Sequence, residues 1–540
     1  MLNSADEVPS GATLRDDVCI IGGGVAGLTL AAALSAAGRS VTLLECGGND
    51  DEAARQDLSE GESVGQPYDQ LASGRYRRLG GSSHLWNIDL GEGEVGPRLQ
   101  PLRPLDFEAR EPLRECGWPF DFREIEPYYR KAYEFLRLGT FPDDVGRWVD
   151  EHHPLLPLDR AVVETTLFRF LPRERFTGEL PEELSASPSV RVLLHATVKE
   201  LVARPGSAEV EAARVIVSRG HEFEVRARTF VLAAGTLENA RLLLVSRSAQ
   251  PTGLGNQHDL VGRYFMEHPH FCAGWMLPRD PALLGRLGLY RLHRNAGRPV
   301  MAKLRLSEGA LRSEALLDFC VGLKPMWRAV PTRSVKALTS LKGSGRPNRI
   351  KELPVALWEA AADLPGIVRY AGQRLKERTG RPLQPNVVKL NAMTEQAPGR
   401  DSRMTLSENR DALGQQRVRL EWRLSRQDEE SVRRATAILD EELRKSGLGR
   451  VVANEEPFDG VSGGWHHMGT TRMHTDPRKG VVDAHGRVHA SPNLYLAGSS
   501  VFPTGGFANP TLTIVALALR LADHLVRRPA AVQLAPAETK

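Results

Sequence analysis

Residues 17–47 read DVCIIGGGVAGLTLAAALSAAGRSVTLLECG. A β-branched strand, Val18–Ile21, runs into Gly22, Gly24 and Gly27, and an Ala/Leu-rich helix follows. After Gly38 comes a second strand, Val41–Leu44, which ends at Glu45. A glycine triplet alone is weak evidence, but strand, turn, helix, strand and terminal acid together define a βαβ unit that takes a dinucleotide. Gly22 permits the tight turn, Gly24 lets a pyrophosphate approach the backbone, and Gly27 lets the helix pack close to the strand. The helix N-terminus offers free N–H groups and partial positive charge to phosphate. Glu45 is placed to accept from ribose hydroxyls. FAD and NAD share this fingerprint, so the segment does not choose between them. It does require an α/β fold of the Rossmann kind.

At 540 residues, the chain exceeds what one hydrophobic core usually supports, and two domains are expected. The net charge of +4 is too mild to suggest nucleic acid. The five cysteines (19, 46, 116, 272 and 320) form no CxxC or other close cluster. Structural zinc, c-type haem and an iron–sulfur cluster are therefore not expected, and no metal site is assigned. Cys272 and Cys320 fall in or near the expected substrate domain, where a buried thiol is usually a small hydrophobe. The N-terminus is polar and acidic, without a basic or apolar leader region, and no long apolar run follows. The expectation is a cytoplasmic protein with no transmembrane segment; export with a partner subunit is the alternative.

Further motifs bear on that choice. RYRRLGGSSHLWN (75–87) is a second glycine-rich loop, and TFVLAAGTLENARLLLVS (229–246) is a strand, a small-residue turn and a helix start. NQHDLVGRYFMEHP (256–269) and EQAPGRDSRMTLSENRDALG (395–414) follow. Near the C-terminus come WHHMGTTRM and NLYLAGSSVFPTGGFANPTLT. Together these resemble the glucose–methanol–choline (GMC) family of FAD-dependent oxidoreductases. They are most similar to the branch holding pyranose 2-oxidases and the flavin subunits of bacterial sugar and polyol dehydrogenases.

The resemblance implies a Rossmann-like FAD domain assembled from 1–100, 190–270 and 455–526. It implies an α+β substrate domain with an antiparallel sheet over 271–454. Residues 101–189 would supply cover helices and loops, and 527–540 a flexible tail. It also implies oxidation of an alcohol to a carbonyl: a base takes the hydroxyl proton and hydride passes to flavin N5. The base position of the H-x-x-G-T pattern falls on His466, with His467 as the neighbour one register off. Asn509 takes the second family position, where it can hold the substrate oxygen but cannot act as a base. Pro510 and Thr511 open a helix whose N-terminus would face the flavin N1/C2 edge, stabilising an anion by about 0.3–1 kcal/mol, or up to roughly 2 when partly buried. Cofactor contacts carried over are Gly80, Gly81, Ser82, His84 and Asn87 in the second glycine loop, Val198 at adenine, Ala234, Gly235 and Glu238 near adenosine, and Gly498 and Ser499 after the last strand. Some relatives attach FAD through a histidine in this loop. Here Leu85 separates His84 from Trp86, so non-covalent FAD is expected, with His84 touching the flavin edge.

The expected substrate is a sugar, a polyol or a hydroxylated secondary metabolite, with electrons leaving to oxygen, a quinone or a separate carrier. A lyase on the same scaffold, of the hydroxynitrile lyase or fatty-acid photodecarboxylase type, is the alternative; a flavin-binding protein without catalysis is the third reading. The apolar stretch 352–375 is read as a helical cover, a lid for a greasy substrate or a docking face for a partner subunit; a homo-oligomer is also open for the chain as a whole.

Overall fold

The computed structural model describes residues 2–68, 71–111, 113, 117–295, 297–328, 368, 370–372 and 384–528. The 352–375 stretch lies almost wholly outside the described residues.

The Thr13–Ile21 strand sits in the middle of the first sheet because both its faces are covered; its last four residues are all buried. Val41–Leu44 pairs with it in parallel on one side and His221–Leu232 on the other. Val190–Leu194 extends the sheet beyond Val41–Leu44, again in parallel. Leu494–Leu496 lies parallel to the end of His221–Leu232, so a strand from the C-terminal region completes a sheet begun at the N-terminus. The parallel strands carry near-continuous apolar runs, as strands covered on both sides require. Val210–Ser218 and Thr197–Ala203 continue the sheet as antiparallel hairpin strands. The helices Val25–Ala36 and Thr511–Arg527 pack on one another and on this sheet.

The second sheet is antiparallel. Its order is Gly449–Ala453, His270–Pro278, Val387–Thr394, Phe319–Met326, Arg298–Leu306, Val163–Phe170 and Arg98–Leu99. Strand alternation gives it two different faces. Val300, Ala302, Leu304, Val388, Leu390 and Ala392 pack against the Arg426–Lys445 helix through Ala435, Ile438 and Leu439. That helix starts at a capping box between Ser425 and Asp428 and ends with Arg444 and Lys445, matching charge to its dipole. The opposite face carries Phe168, Phe170, Met301, Cys320 and Met393, which meet Phe507 of the loop before the last helix.

Two segments lie elsewhere than expected. Val163–Phe170, within the range read as cover helices and loops, is an inner strand of the second sheet. Its VETTLFRF sequence is buried on both sides towards its end, which hides any period-2 signal. Arg403–Arg410 and Gln416–Trp422, within the 271–454 range expected for the substrate domain, form a small sheet in which Gln416–Trp422 runs parallel to Gly61–Gly65. Trp422 anchors that sheet, fully buried, its indole N–H donating to Gln396 at 3.0 Å. Among the described residues, no helix is long and apolar enough to cross a membrane.

Candidate active site

A cavity of about 510 Å³ runs between the two sheets. At one end the first βαβ unit shapes it. Gly22 has φ +108°, and an added Cβ there would lie 2.6 Å from the Ala233 carbonyl oxygen. A Cβ on Gly27 would lie 1.9 Å from the Gly22 carbonyl oxygen, so the helix can approach the strand only without a side chain. Gly24 caps the helix with no side chain on its N–H groups, leaving them free at the cavity wall. Glu45 is buried and accepts from the Gly23 and Gly47 amides at 2.8 Å each. Burial raises its carboxyl while those amides pull it back down.

The second glycine loop closes over the first. Gly81 and Ser82 line the cavity, and a Cβ on Gly81 would sit 3.0 Å from the Gly24 Cα. Asn87, Val198, Ala234, Gly235, Glu238, Gly498, Ser499, Pro510 and Thr511 line it as well. Gly80 stands behind the wall, donating to the Gly23 carbonyl at 2.8 Å. His84 is a correction. It does not line the cavity; its Nε2 bonds the Leu79 carbonyl at 2.8 Å and its ring packs on Tyr76. The turn of the short 3₁₀ segment Gly81–Leu85 points Ser82 and Leu85 inward and His84 away. Glu238 is already occupied by three guanidinium groups, Arg75 at 2.5 Å, Arg77 at 3.0 Å and Arg241 at 3.3 Å, which hold its carboxyl down at about 2 despite burial.

At the other end lie His466 and Asn509. The His466 Nε2 is 2.9 Å from Asn509 Nδ2, and the Asn509 Oδ1 is buried without a partner among the described residues. His466 Nδ1 is 2.9 Å from Nδ1 of the fully buried His268, whose Nε2 is 3.3 Å from the Gly505 carbonyl. Burial, then the neighbouring His268 and His270, hold the His466 imidazole well below its usual pKa. His467 also lines the cavity, but its Nε2 is 2.7 Å from the Tyr68 hydroxyl and burial lowers it to about 3.

Glu267 organises this turn. Its carboxylate accepts from the backbone amides of His268, Gly464 and His466 at 3.0–3.1 Å and from the Tyr68 hydroxyl. Trp465, between Gly464 and His466, takes φ +59° and is 37% exposed, so a large ring stands at the cavity wall in a conformation that side chains rarely adopt. Sequence reasoning did not find Glu267, His268, His270, Trp465, Tyr68 or Arg98. The quoted NQHDLVGRYFMEHP stretch contained two of them, Glu267 and His268, yet nothing in its spacing says which way each side chain points.

The cavity suits a long dinucleotide. It has a glycine cradle and free helix N–H groups at one end, and a second unpaired helix N-terminus at Thr511 with the orphaned Asn509 oxygen at the other. A family model described as FAD dependent oxidoreductase matches residues 17–90, and one described as GMC oxidoreductase matches 398–518. A 6'''-hydroxyparomomycin C oxidase of Streptomyces lividus is 26% identical, covering 95% of this chain and 93% of its own. A paromamine 6'-oxidase of Streptomyces fradiae is 25% identical, covering 94% and 90%. Over its C-terminal part the chain matches the GMC oxidoreductases. Among solved structures, a formate oxidase aligns with a TM-score of 0.53 at 16% identity over 96% of this chain and 98% of its own, a likeness of fold. The chain is an FAD-dependent oxidoreductase that oxidises an alcohol.

Proposed function

We propose that this enzyme oxidises a hydroxyl of a polyhydroxylated, sugar-like molecule, with His466 as the base and Asn509 holding the substrate oxygen. One observation carries the assignment: the His466 Nε2 and the Asn509 amide converge at 2.9 Å on the cavity wall, whereas the His467 ring nitrogen is engaged with Tyr68. Bound FAD supplies the two-electron acceptor. The alcohol enters between the two side chains, its O–H donating to Nε2 and its oxygen accepting from the Asn509 amide. His466 takes the proton as the carbonyl forms. An imidazole kept neutral by burial is ready for that proton at neutral pH. The names of the relatives support a sugar-like substrate. Trp465 supports it too, because an exposed indole is a surface on which a sugar ring can lie.

For the cofactor, Gly22, Gly24, Gly81 and Ser82 would hold the pyrophosphate, Glu45 the ribose and Val198 the adenine. The Thr511 helix N-terminus would face the part of the flavin ring that gains negative charge. FAD would be held without a covalent bond, because His84 is turned to the Leu79 carbonyl. The FAD domain would comprise the first sheet with its two helices.

The test is anaerobic bleaching of the purified yellow protein by sugars, polyols and simple alcohols, with His466→Ala and His467→Ala in parallel. Bleaching by one class, lost in His466→Ala and kept in His467→Ala, is the expected result. Bleaching that survives His466→Ala removes the base assignment. If dithionite bleaches the flavin and no alcohol does, the sugar-like substrate class falls.

A further inference from the structure

Lys303 is out of place. It lies on the face of the antiparallel sheet that meets the loop before the last helix, beside Met301, Phe168 and Met393. It is 3% exposed. Its Nζ reaches the Met393 sulfur at 3.0 Å and the Phe168 ring face at 4.7 Å, and neither carries a negative charge. Arg98 is a second such cation. It is largely buried, its Nε has no hydrogen-bond partner, and among the described residues no carboxylate pairs with it. This fold pairs its other buried arginines nearby: Arg103 meets Asp318 at 2.5 Å, and Arg110 meets Glu395 at 3.0 Å. Burial first, and then the nearby Arg98 charge, have lowered the Lys303 ammonium to about 7.

A second cavity of about 510 Å³ opens beside them. Arg98, Arg291, Lys303 and Lys324 line it, with Tyr290 and Asn391, and among the described residues no acid lines it. Arg98 also lines the cavity that holds His466 and His270, so this one guanidinium forms part of both walls. A buried cation without a counter-charge is costly, and natural folds seldom keep two side by side. Such a pair at a cavity wall is explained when a ligand brings the missing charge.

We propose that this second cavity receives an anionic group of the substrate, a carboxylate or a phosphate ester, with Lys303 and Arg98 as its counter-charges. The proposal rests on the alcohol-oxidising reading of His466 and narrows its substrate to hydroxy acids or phosphorylated sugars. A substrate with an ammonium group at this end would be repelled. Arg291 and Lys324, exposed at the rim, add attraction at longer range.

The experiment compares charge on one scaffold: glucose, glucuronate, glucose 6-phosphate and glucosamine, at constant ionic strength, with the FAD-loaded enzyme under anaerobic conditions. The kcat/KM for an anionic member is expected to exceed that for glucose by at least tenfold, and glucosamine to fall below glucose. Preference for glucuronate over glucose 6-phosphate, or the reverse, tells carboxylate from phosphate. Lys303→Met should bring the anionic-to-neutral ratio towards one, and the rim variant Lys324→Ser, which leaves the core intact, should lower it in part. In a separate arm, malonate and inorganic phosphate are titrated into the oxidised enzyme and followed by the flavin difference spectrum. Saturable binding that competes with the sugar and weakens at least tenfold in Lys303→Met supports the proposal. A ratio near one in the unmodified enzyme, or anion binding that does not compete, overturns it. If no sugar of any charge reduces the flavin while malonate still binds through Lys303, the sugar-oxidising reading fails and the anion site stands.

Discussion

His466 and His268 meet through their Nδ1 atoms at 2.9 Å, and this contact fixes where the protons lie. The Gly505 carbonyl can only accept, so the Nε2 of His268 at 3.3 Å carries a hydrogen. In the neutral ring its Nδ1 must then accept. His466 Nδ1 therefore donates, and the lone pair of His466 falls on Nε2, beside Asn509. A buried neutral imidazole sets the tautomer of another.

Replacing His268 should thus damage the reaction without touching substrate. His268→Ala is expected to lower the rate of flavin reduction by about tenfold to a hundredfold, with KM little changed, since hydrogen bonds of this kind orient the base. His268→Gln, whose carbonyl can accept from Nδ1, should recover part of the loss. Stopped-flow reduction by saturating substrate reads this directly, and equal rates in all three proteins would remove the tautomer argument.

His466→Ala should cost about 10²–10⁴-fold in the rate of flavin reduction, the usual range for a general base. Asn509→Ala should cost less and raise KM, because the amide orients the oxygen without taking the proton. Both should bind FAD as the unmodified enzyme does. Absorbance of the purified variants checks this.

The pH profile follows from the sign of the shifts. His466 lies well below the usual imidazole value, so the neutral base predominates throughout the neutral range. kcat/KM should stay level there and fall only on the acid side, well below the ~6.5 of a free imidazole. Stability has its own limb. Burial lowers His268 to about 4 and His467 to about 3, so the unfolded chain binds protons that the folded one refuses. Their stabilisation is present above about 6.5 and is lost as pH falls towards 4 and 3. Denaturant midpoints at pH 7, 5.5 and 4.5 should decline in that order.

Glu267→Ala should be severe. Three backbone amides and the Tyr68 hydroxyl would lose their acceptor in a dry site, at about 1–3 kcal/mol for each donor left unsatisfied. Burial already lifts the Glu267 carboxyl to about 7 against those donors. Glu267→Gln keeps an acceptor oxygen and should lose less. Thermal unfolding of the FAD-loaded variants separates the two, and a small loss in both would show that water replaces the carboxylate.

The front of the molecule was legible because its constraint is local. The strand Val41–Leu44, the helix Val25–Ala36 and the close packing at Gly27 follow from residues adjacent in the chain. His466 and Asn509 were legible from the motifs around them. Glu267, His268, Lys303 and Arg98 were not. Each lies on an ordinary-looking segment and acquires meaning only when sheets from distant parts of the chain face one another. His84 was misplaced because a short 3₁₀ turn reverses neighbouring side chains, which residue spacing in an irregular loop does not reveal.

The Leu494–Leu496 strand lies beside His221–Leu232, which lies beside Thr13–Ile21, so the cofactor cradle is walled by strands nearly 500 positions apart. During synthesis the glycine turn therefore leaves the ribosome long before its last wall exists. Nascent chains halted ahead of residue 494 would expose the apolar edge of the first sheet and could not retain FAD, which makes the final stretch of translation the step at which the flavoprotein is made and the interval before it the one in which a chaperone is most needed.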